Sequence, residues 1–183
     1  AAWINSRAPD QPWMATVSFA SIHTPLVQPP VDPASPANVA ATNLDCGNIV
    51  IQRILSNLMI ESVDLEIGRL LVATGLASHN ADGELVYTPE ATDTMVVILG
   101  DNGSLGSTTK FPFDVSRSKG TAYQSGVWVP LIVSGPQVSE PGRQVRSMVN
   151  VADLFALFGE IAGIEDVQAE VPLTLDAVSM LPY

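Results

Sequence analysis

Residues 94–103 read TMVVILGDNG, a short apolar run followed by Asp101 and Asn102 between two glycines. The run has no polar alternation, which is typical of a strand buried on both faces of a parallel sheet. Ligands of open α/β sheets bind beyond the carboxyl ends of the strands, so Asp101 and Asn102 would face a ligand there. Their oxygens are hard ligands that suit Ca²⁺ or Mg²⁺. A plain Asp-Asn-Gly turn is the alternative interpretation.

Strand-like and loop-like runs lie on either side of this stretch. Residues 13–20 (WMATVSFA) and 127–134 (VWVPLIVS) are rich in β-branched and aromatic residues, which predicts two further strands. Prolines between residues 25 and 36 exclude a helix and indicate a loop. Residues 101–126 are rich in glycine, serine and threonine and have no helical period, so we expect a long loop there. Long ordered loops are usually functional.

The spacing of apolar residues predicts two helices. Over residues 48–74 an apolar side chain recurs at every fourth position, with polar residues on another face, and Gly75 would end this helix. The second helix would be capped by Asn150, with Asp153 three residues later, and would end at Gly163. Strands that alternate with helices predict an α/β architecture with a largely parallel sheet.

Composition narrows the classes of function. The chain has 183 residues, 46% of them hydrophobic, and a length of about 150 residues is usual for one domain. The net charge is −11, with eight basic residues against nineteen acidic, which argues against nucleic-acid binding because phosphates need a positive surface. Cys46 is the single cysteine, so an internal disulfide and a multi-cysteine metal site are excluded. No membrane span and no secretory signal are predicted.

Two further residues are candidates for chemistry. His23 lies just beyond the predicted strand 13–20 and could bind an anion or act as a general acid. Lys119 lies in the long loop of a lysine-poor chain and could hold an anionic group as a point charge. The alternative in each case is an ordinary solvated side chain on a surface loop.

Five segments in order resemble the sulfatase family, a branch of the alkaline-phosphatase superfamily. The resemblance covers about residues 10–165 and includes the family's His-x-Pro, Asp-Asn and Lys-Gly-x-x-Tyr elements. The segments are PWMATVSFASIHTP (12–25), MIESVDLEIGRLL (59–71), TMVVILGDNG (94–103), KGTAYQSGVWVP (119–130) and VNVADLFALFGEIAG (149–163).

The resemblance implies a fold, a reaction and roles for four residues. The fold would be part of an alkaline-phosphatase-like α/β/α sandwich with a mostly parallel sheet. The reaction would be hydrolysis of a sulfate ester of a small molecule or carbohydrate, with phosphonate or phosphate monoesters as alternatives. Asp101 and Asn102 would be metal ligands, normally to Ca²⁺. His23 and Lys119 would contact the sulfate oxygens, and His23 would also assist the leaving group. A periplasmic or secreted location would be typical of the family.

The departures from the family pattern suggest an incomplete site. The Cys-x-Pro-Ser-Arg motif that supplies the family's nucleophile is absent from the chain, and Gln124, Ser125 and Trp128 replace a Glu, a Gly and an Arg. We interpret residues 1–183 as a single unit, the C-terminal portion of a catalytic domain whose N-terminal half is missing. Alone it would be inactive and would bind Ca²⁺ weakly or not at all.

Half a parallel sheet would leave one edge open. We expect the missing half or self-association to cover this edge, or else the long loop 101–126 to be disordered.

Two functional hypotheses remain open besides the fragment of a sulfatase-type hydrolase. A non-catalytic, sulfatase-like binding module is the second functional hypothesis. A dinucleotide or phosphate binder of the doubly wound class is the third, and it depends on residues 101–106 alone.

Overall fold

The structure of the protein, a computed structural model, describes residues 1–35 and 44–181. Pro36, the last proline of the predicted loop, lies outside the described residues. Contacts divide the chain into two compact units, Ala1–Ser139 and Glu140–Tyr183. The first unit contains α1 (Ala2–Asn5), α2 (Ile49–Ala73), β1 (Ala77–His79), β2 (Leu85–Tyr87), β3 (Val96–Leu99), α3 (Gln124–Val127), β4 (Leu131–Ser134) and 3₁₀ turns at Pro89–Ala91, Gly106–Thr108 and Val115–Arg117. The second contains α4 (Asp153–Ile161).

Helix α2 confirms the predicted long helix to within a residue at each end. The side chain of Asn48 caps it by accepting a hydrogen bond from the Val50 N–H at 2.9 Å. Beyond the other end Gly75 has φ +75°, a conformation that glycine adopts without strain. Gly75 ends the helix as predicted, and the Asn48 cap, which was not predicted, marks its start.

The core of the first unit is a small cluster around α2. Leu55 is 1% exposed and packs with Leu26 and Met59, while Leu44, Ile51 and Leu105 lie against them half-buried. The segment before α2 is also tied to it, because Ser35 Oγ donates to Glu61 Oε1 at 2.7 Å and Arg69 pairs with Asp32. Helix α2 therefore holds both the segment after His23 and the loop that contains Leu105.

Both sheets in the described residues are two-stranded and antiparallel. Strand β3 pairs with β4 from Val96 opposite Ser134 to Leu99 opposite Leu131, and β1 pairs with β2 as a hairpin. The mostly parallel sheet is therefore not confirmed. Every residue of β3 is half-buried, so the prediction of a strand buried on both faces is wrong. The physical reason is that the described residues provide β3 with one neighbouring strand only.

The predicted strand over residues 13–20 is wrong. This segment has no regular secondary structure, and Met14 and Val17 are 61% and 51% exposed. Its composition favours a half-buried pleated surface, but a strand also needs a neighbour, and none pairs with it among the described residues. The prediction over 127–134 is correct only for its last four residues, which follow Pro130 as β4.

Helix α4 of the second unit begins three residues after Asn150. Asn150 Oδ1 accepts from the Ala152 N–H at 3.0 Å, and Asp153 Oδ2 accepts from the Asn150 N–H at 2.7 Å. Asp153 is buried and its other oxygen accepts from the Val178 N–H at 2.9 Å. The residue directly before the helix is Ala152, which makes no side-chain cap bond, so the prediction that Asn150 caps the helix is wrong, and the Asn150–Asp153 bond closes the turn that precedes it. Gly163 follows the helix with φ +86°, as predicted.

Candidate active site

Strand β3 leads Asp101 and Asn102 into an exposed bend. The Gly100 N–H donates to the Pro130 carbonyl at 3.0 Å, which extends the contact between β3 and β4 by one residue. Both side chains of the dipeptide are exposed, and Asn102 Nδ2 donates to the Gly103 carbonyl at 3.0 Å. The bend therefore offers one carboxylate and one amide oxygen directly after the strand.

Two glycines join this bend to the far end of the loop. The Gly103 N–H donates to the Gly126 carbonyl at 3.0 Å, and the Ser104 N–H donates to the Ser125 carbonyl at 2.9 Å. A Cβ on Gly103 would lie 2.3 Å from the carbonyl carbon of Gly126. A Cβ on Gly126 would lie 2.2 Å from the Thr121 carbonyl oxygen. No other residue permits the two backbones to approach this closely.

Lys119 is held beside the same bend. Its backbone N–H donates to the Ser104 carbonyl at 2.8 Å, two residues after Asn102, and its side chain is exposed. Gly120 follows with φ +89°, which turns the chain back toward Gly126. The structure thus brings together the segments that carry the Asp-Asn dipeptide and Lys119, although 17 positions separate Asn102 from Lys119.

A buried network that sequence reasoning missed supports the Lys119 segment. Thr109 Oγ1 and Ser118 Oγ lie 2.8 Å apart, and both residues are buried. Arg53 reaches from α2 and donates to the carbonyls of Ser107 and Thr109, at 3.2 and 3.0 Å. Arg53 lies among the polar residues of a predicted helix, and nothing local in the sequence indicates that its partner is 54 to 56 residues away.

A charged turn lies directly before Lys119. Asp114 Oδ1 accepts from the Ser116 N–H and hydroxyl at 2.9 and 2.7 Å. These bonds, led by the hydroxyl, hold the pKa of Asp114 below its ordinary value, and the charge of Arg117 adds to the effect. The Arg117 guanidinium lies over the Tyr123 ring at 4.4 Å. Ser125 Oγ donates to the Arg117 carbonyl at 2.7 Å, which ties two parts of the loop together.

His23 lies apart from these contacts. Its Nδ1 is 2.8 Å from the Thr24 carbonyl oxygen, and because a carbonyl only accepts, Nδ1 is the donor and Nε2 is left for another partner. The ring is exposed, while Leu26, three residues on, is buried in the core cluster. Within residues 1–35 and 44–181, no hydrogen bond or ion pair joins His23 to Asp101, Asn102 or Lys119.

Comparison with known proteins agrees with the resemblance in the motifs. Over 106 residues the chain is 37% identical to a protein named Sulfatase from Formosa agariphila, a match that covers 57% of this chain and 18% of that protein. Over 89 residues it is 29% identical to Arylsulfatase K from Xenopus laevis, a match that covers 49% of this chain and 15% of that protein.

This chain is related to the sulfatases. The relationship implies an alkaline-phosphatase-like α/β fold for this sulfatase relative. The matched segments span less than a fifth of each curated relative. No protein-family profile matches the chain, and no solved structure matches it.

The predicted metal ligands Asp101 and Asn102 fit a divalent cation in type but not in number. The oxygens of Asp101 and Asn102 are hard ligands, and Ca²⁺ takes six to eight of them. In the part of the chain that the structure describes, no group of three or more His, Cys, Asp or Glu side chains could hold a metal ion. The dipeptide can therefore supply only part of a cation site.

Within residues 1–35 and 44–181, no helix has the length and apolar content to cross a membrane.

Proposed function

We propose that this chain provides part of the active site of a sulfatase-type hydrolase that cleaves sulfate esters. Asp101 and Asn102 would be two ligands of a divalent cation, Ca²⁺ or Mg²⁺. Lys119 and His23 would contact the sulfate group. The observation that carries the proposal is the hydrogen bond from the Lys119 N–H to the Ser104 carbonyl, because it keeps the Lys119 backbone beside the Asp-Asn bend. A periplasmic or secreted location remains a prediction from the family.

The two basic residues would have different tasks in this reaction. The Lys119 ammonium is exposed and has no ion pair among the described residues, so it can place a fixed positive charge against the sulfate oxygens. His23 has Nε2 left over from its bond to Thr24, and as imidazolium it can donate a proton to the departing ester oxygen. Two positive groups on the anion lower the energy of the charge that develops during cleavage.

The nucleophile and the remaining cation ligands would have to come from outside these residues. The chain contains no Cys-x-Pro-Ser-Arg motif. We therefore expect no hydrolysis of an aryl sulfate by the chain alone in the presence of Ca²⁺, and weak or no binding of Ca²⁺ by calorimetry. Robust turnover by the chain alone would contradict this account of the nucleophile.

A binding experiment tests the anion contact without requiring turnover. Benzenesulfonate resembles a sulfate monoester but cannot be cleaved, because its sulfur is bonded directly to carbon. Its binding can be followed by the NMR shifts of the Lys119 amide. Lys119→Gln should weaken binding several-fold, by about the value of one exposed charge pair. Lys110→Gln makes the same charge change in the same loop and should leave binding nearly unchanged. Equal effects of the two variants would overturn the assignment of Lys119.

The non-catalytic binding module remains the second candidate. It is favoured by the changes in the Lys119 element, since Ser125 now bonds the Arg117 carbonyl and Trp128 is 68% exposed. Both candidates predict sulfonate binding, so the product of the full reading frame must be assayed with an aryl sulfate and with phosphate and phosphonate monoesters. Hydrolysis together with an upstream Cys-x-Pro-Ser-Arg favours the enzyme. Binding without hydrolysis favours the module.

A further inference from the structure

Positive charge is concentrated in one part of this acidic chain. Between Asn102 and Ser139 the sequence has three basic residues, Lys110, Arg117 and Lys119, and one acidic residue, Asp114, in a chain of net charge −11. Neither lysine has an ion pair among the described residues, and Arg117 lies 3.7 Å from Asp114 while keeping 56% of its side chain exposed. A local positive field in an acidic molecule concentrates anions at that site.

Two of these cations lie on either side of Ser118. Ser118 is extended, with φ −98° and ψ −151°, and its buried hydroxyl lies 2.8 Å from that of Thr109. Arg117 ends the 3₁₀ turn and Lys119 follows Ser118, so two exposed cationic side chains flank one buried residue. One extended residue separates their Cα atoms by about 7 Å.

The Arg117 guanidinium is also held in place before any ligand binds. It lies over the Tyr123 ring at 4.4 Å, and Ser125 Oγ fixes its backbone carbonyl at 2.7 Å. A planar guanidinium that is stacked on a ring keeps its outer N–H groups free for a bidentate contact with an anion. Less side-chain entropy is then lost when the anion binds.

We propose that Arg117 forms a second anion subsite next to Lys119, and that the favoured substrate carries another anionic group besides the sulfate ester to be cleaved. The inference rests on the proposed function, since it takes Lys119 as the contact to the reacting sulfate. The chemical class is a molecule with two sulfate or carboxylate groups, because the two cationic side chains begin only two positions apart.

Two rigid probes separate this inference from the proposed function. The 183-residue chain is titrated with benzenesulfonate and with para-benzenedisulfonate at low ionic strength, where exposed charges are least screened. We expect the disulfonate to bind about threefold to tenfold more tightly, the effect of one or two exposed charge contacts. Arg117→Gln should abolish that ratio while leaving the affinity for benzenesulfonate nearly unchanged. Lys110→Gln, the control with equal charge change, should keep the ratio.

Each other result has a defined meaning. Equal affinities of the two probes for the unaltered chain, or equal losses in Arg117→Gln and Lys110→Gln, would overturn the second subsite and leave the proposed function intact. Benzenesulfonate binding that ignores Lys119→Gln would overturn the proposed function instead. Absence of binding by both probes would overturn both. Arg117→Lys keeps the positive charge but removes the planar guanidinium. An affinity ratio of disulfonate to benzenesulfonate between those of the unaltered chain and Arg117→Gln would therefore support the bidentate contact.

Discussion

At the scale of single residues, two glycines decide where the candidate site forms. Gly103 and Gly126 let two backbone segments approach to hydrogen-bonding distance. A Cβ added at either position would clash with neighbouring backbone atoms. Neither residue bears chemistry, yet their contact lies next to the bond from the Lys119 N–H to the Ser104 carbonyl. A site built in this way is sensitive to the smallest substitution at the contact.

The substitution Gly126→Ala should destabilise the first unit by about 1–3 kcal/mol, because a Cβ 2.2 Å from the Thr121 carbonyl oxygen forces the backbone apart. Gly68→Ala is the matched control. Its Cβ would meet only Leu85 Cδ2 at 3.6 Å, and alanine favours a helix by about 1 kcal/mol over glycine, so stability should hold or rise. Urea unfolding followed by tryptophan fluorescence measures both, since all three tryptophans lie in the first unit. If Gly126→Ala and Gly68→Ala unfolded at the same urea concentration, the proposed clash at Gly126 would be contradicted.

The residues of the site were predictable to different degrees. Asp101 and Lys119 stand out because a carboxylate directly after a strand is locally unusual and because the chain has only two lysines, both in the long loop 101–126. The contact between Gly103 and Gly126 and the bonds from Arg53 to the loop are tertiary, and local spacing carries no sign of them. The catalytic roles of the four predicted residues stay predictions.

At the scale of secondary structure, the elements that were predicted well are those with strong local signals. Helix α2 combines a sustained apolar spacing with a capping asparagine and a terminating glycine, and it forms as expected. The hairpin of β1 and β2 has strands of three residues, too short for a period to show. Whether residues 13–20 form a strand, and whether β4 runs parallel or antiparallel to β3, depends on neighbouring segments in space. Local propensity contains no information about those neighbours, so it predicted both features incorrectly.

The 3₁₀ turn Val115–Arg117 should respond to pH through Asp114. Hydrogen bonds from Ser116 hold the pKa of Asp114 below the ordinary 3.8, so its stabilising effect is present above that value and is lost as pH falls through the lowered pKa. Carboxyl-carbon NMR titration measures the pKa directly. Ser116→Ala should raise it more than Arg117→Gln does, because the Ser116 hydroxyl is the largest cause and the Arg117 charge is a small one. The reverse order would contradict this assignment.

At the scale of the whole molecule, net charge and exposed apolar surface act in opposite directions. The charge of −11 makes identical copies repel one another, and this repulsion weakens as salt shortens the Debye length. Strands β3 and β4 each have one edge with no partner strand in the described residues, and Ile132 on β4 is 56% exposed. Unpaired edges and exposed apolar side chains favour association.

We therefore predict that the chain self-associates through the β3–β4 edge, and more strongly at high salt than at low salt. Light scattering during size-exclusion chromatography should show a mass that rises with salt and with protein concentration. Ile132→Lys places a charge on the edge strand and should shift the chain toward the monomer. Leu173→Lys makes the same change at a residue of the second unit that is 75% exposed, and it should have little effect beyond that of one added charge. A monomer at every salt concentration, or equal effects of the two lysines, would show that this edge is not the contact, because only an interface containing Ile132 distinguishes the two substitutions.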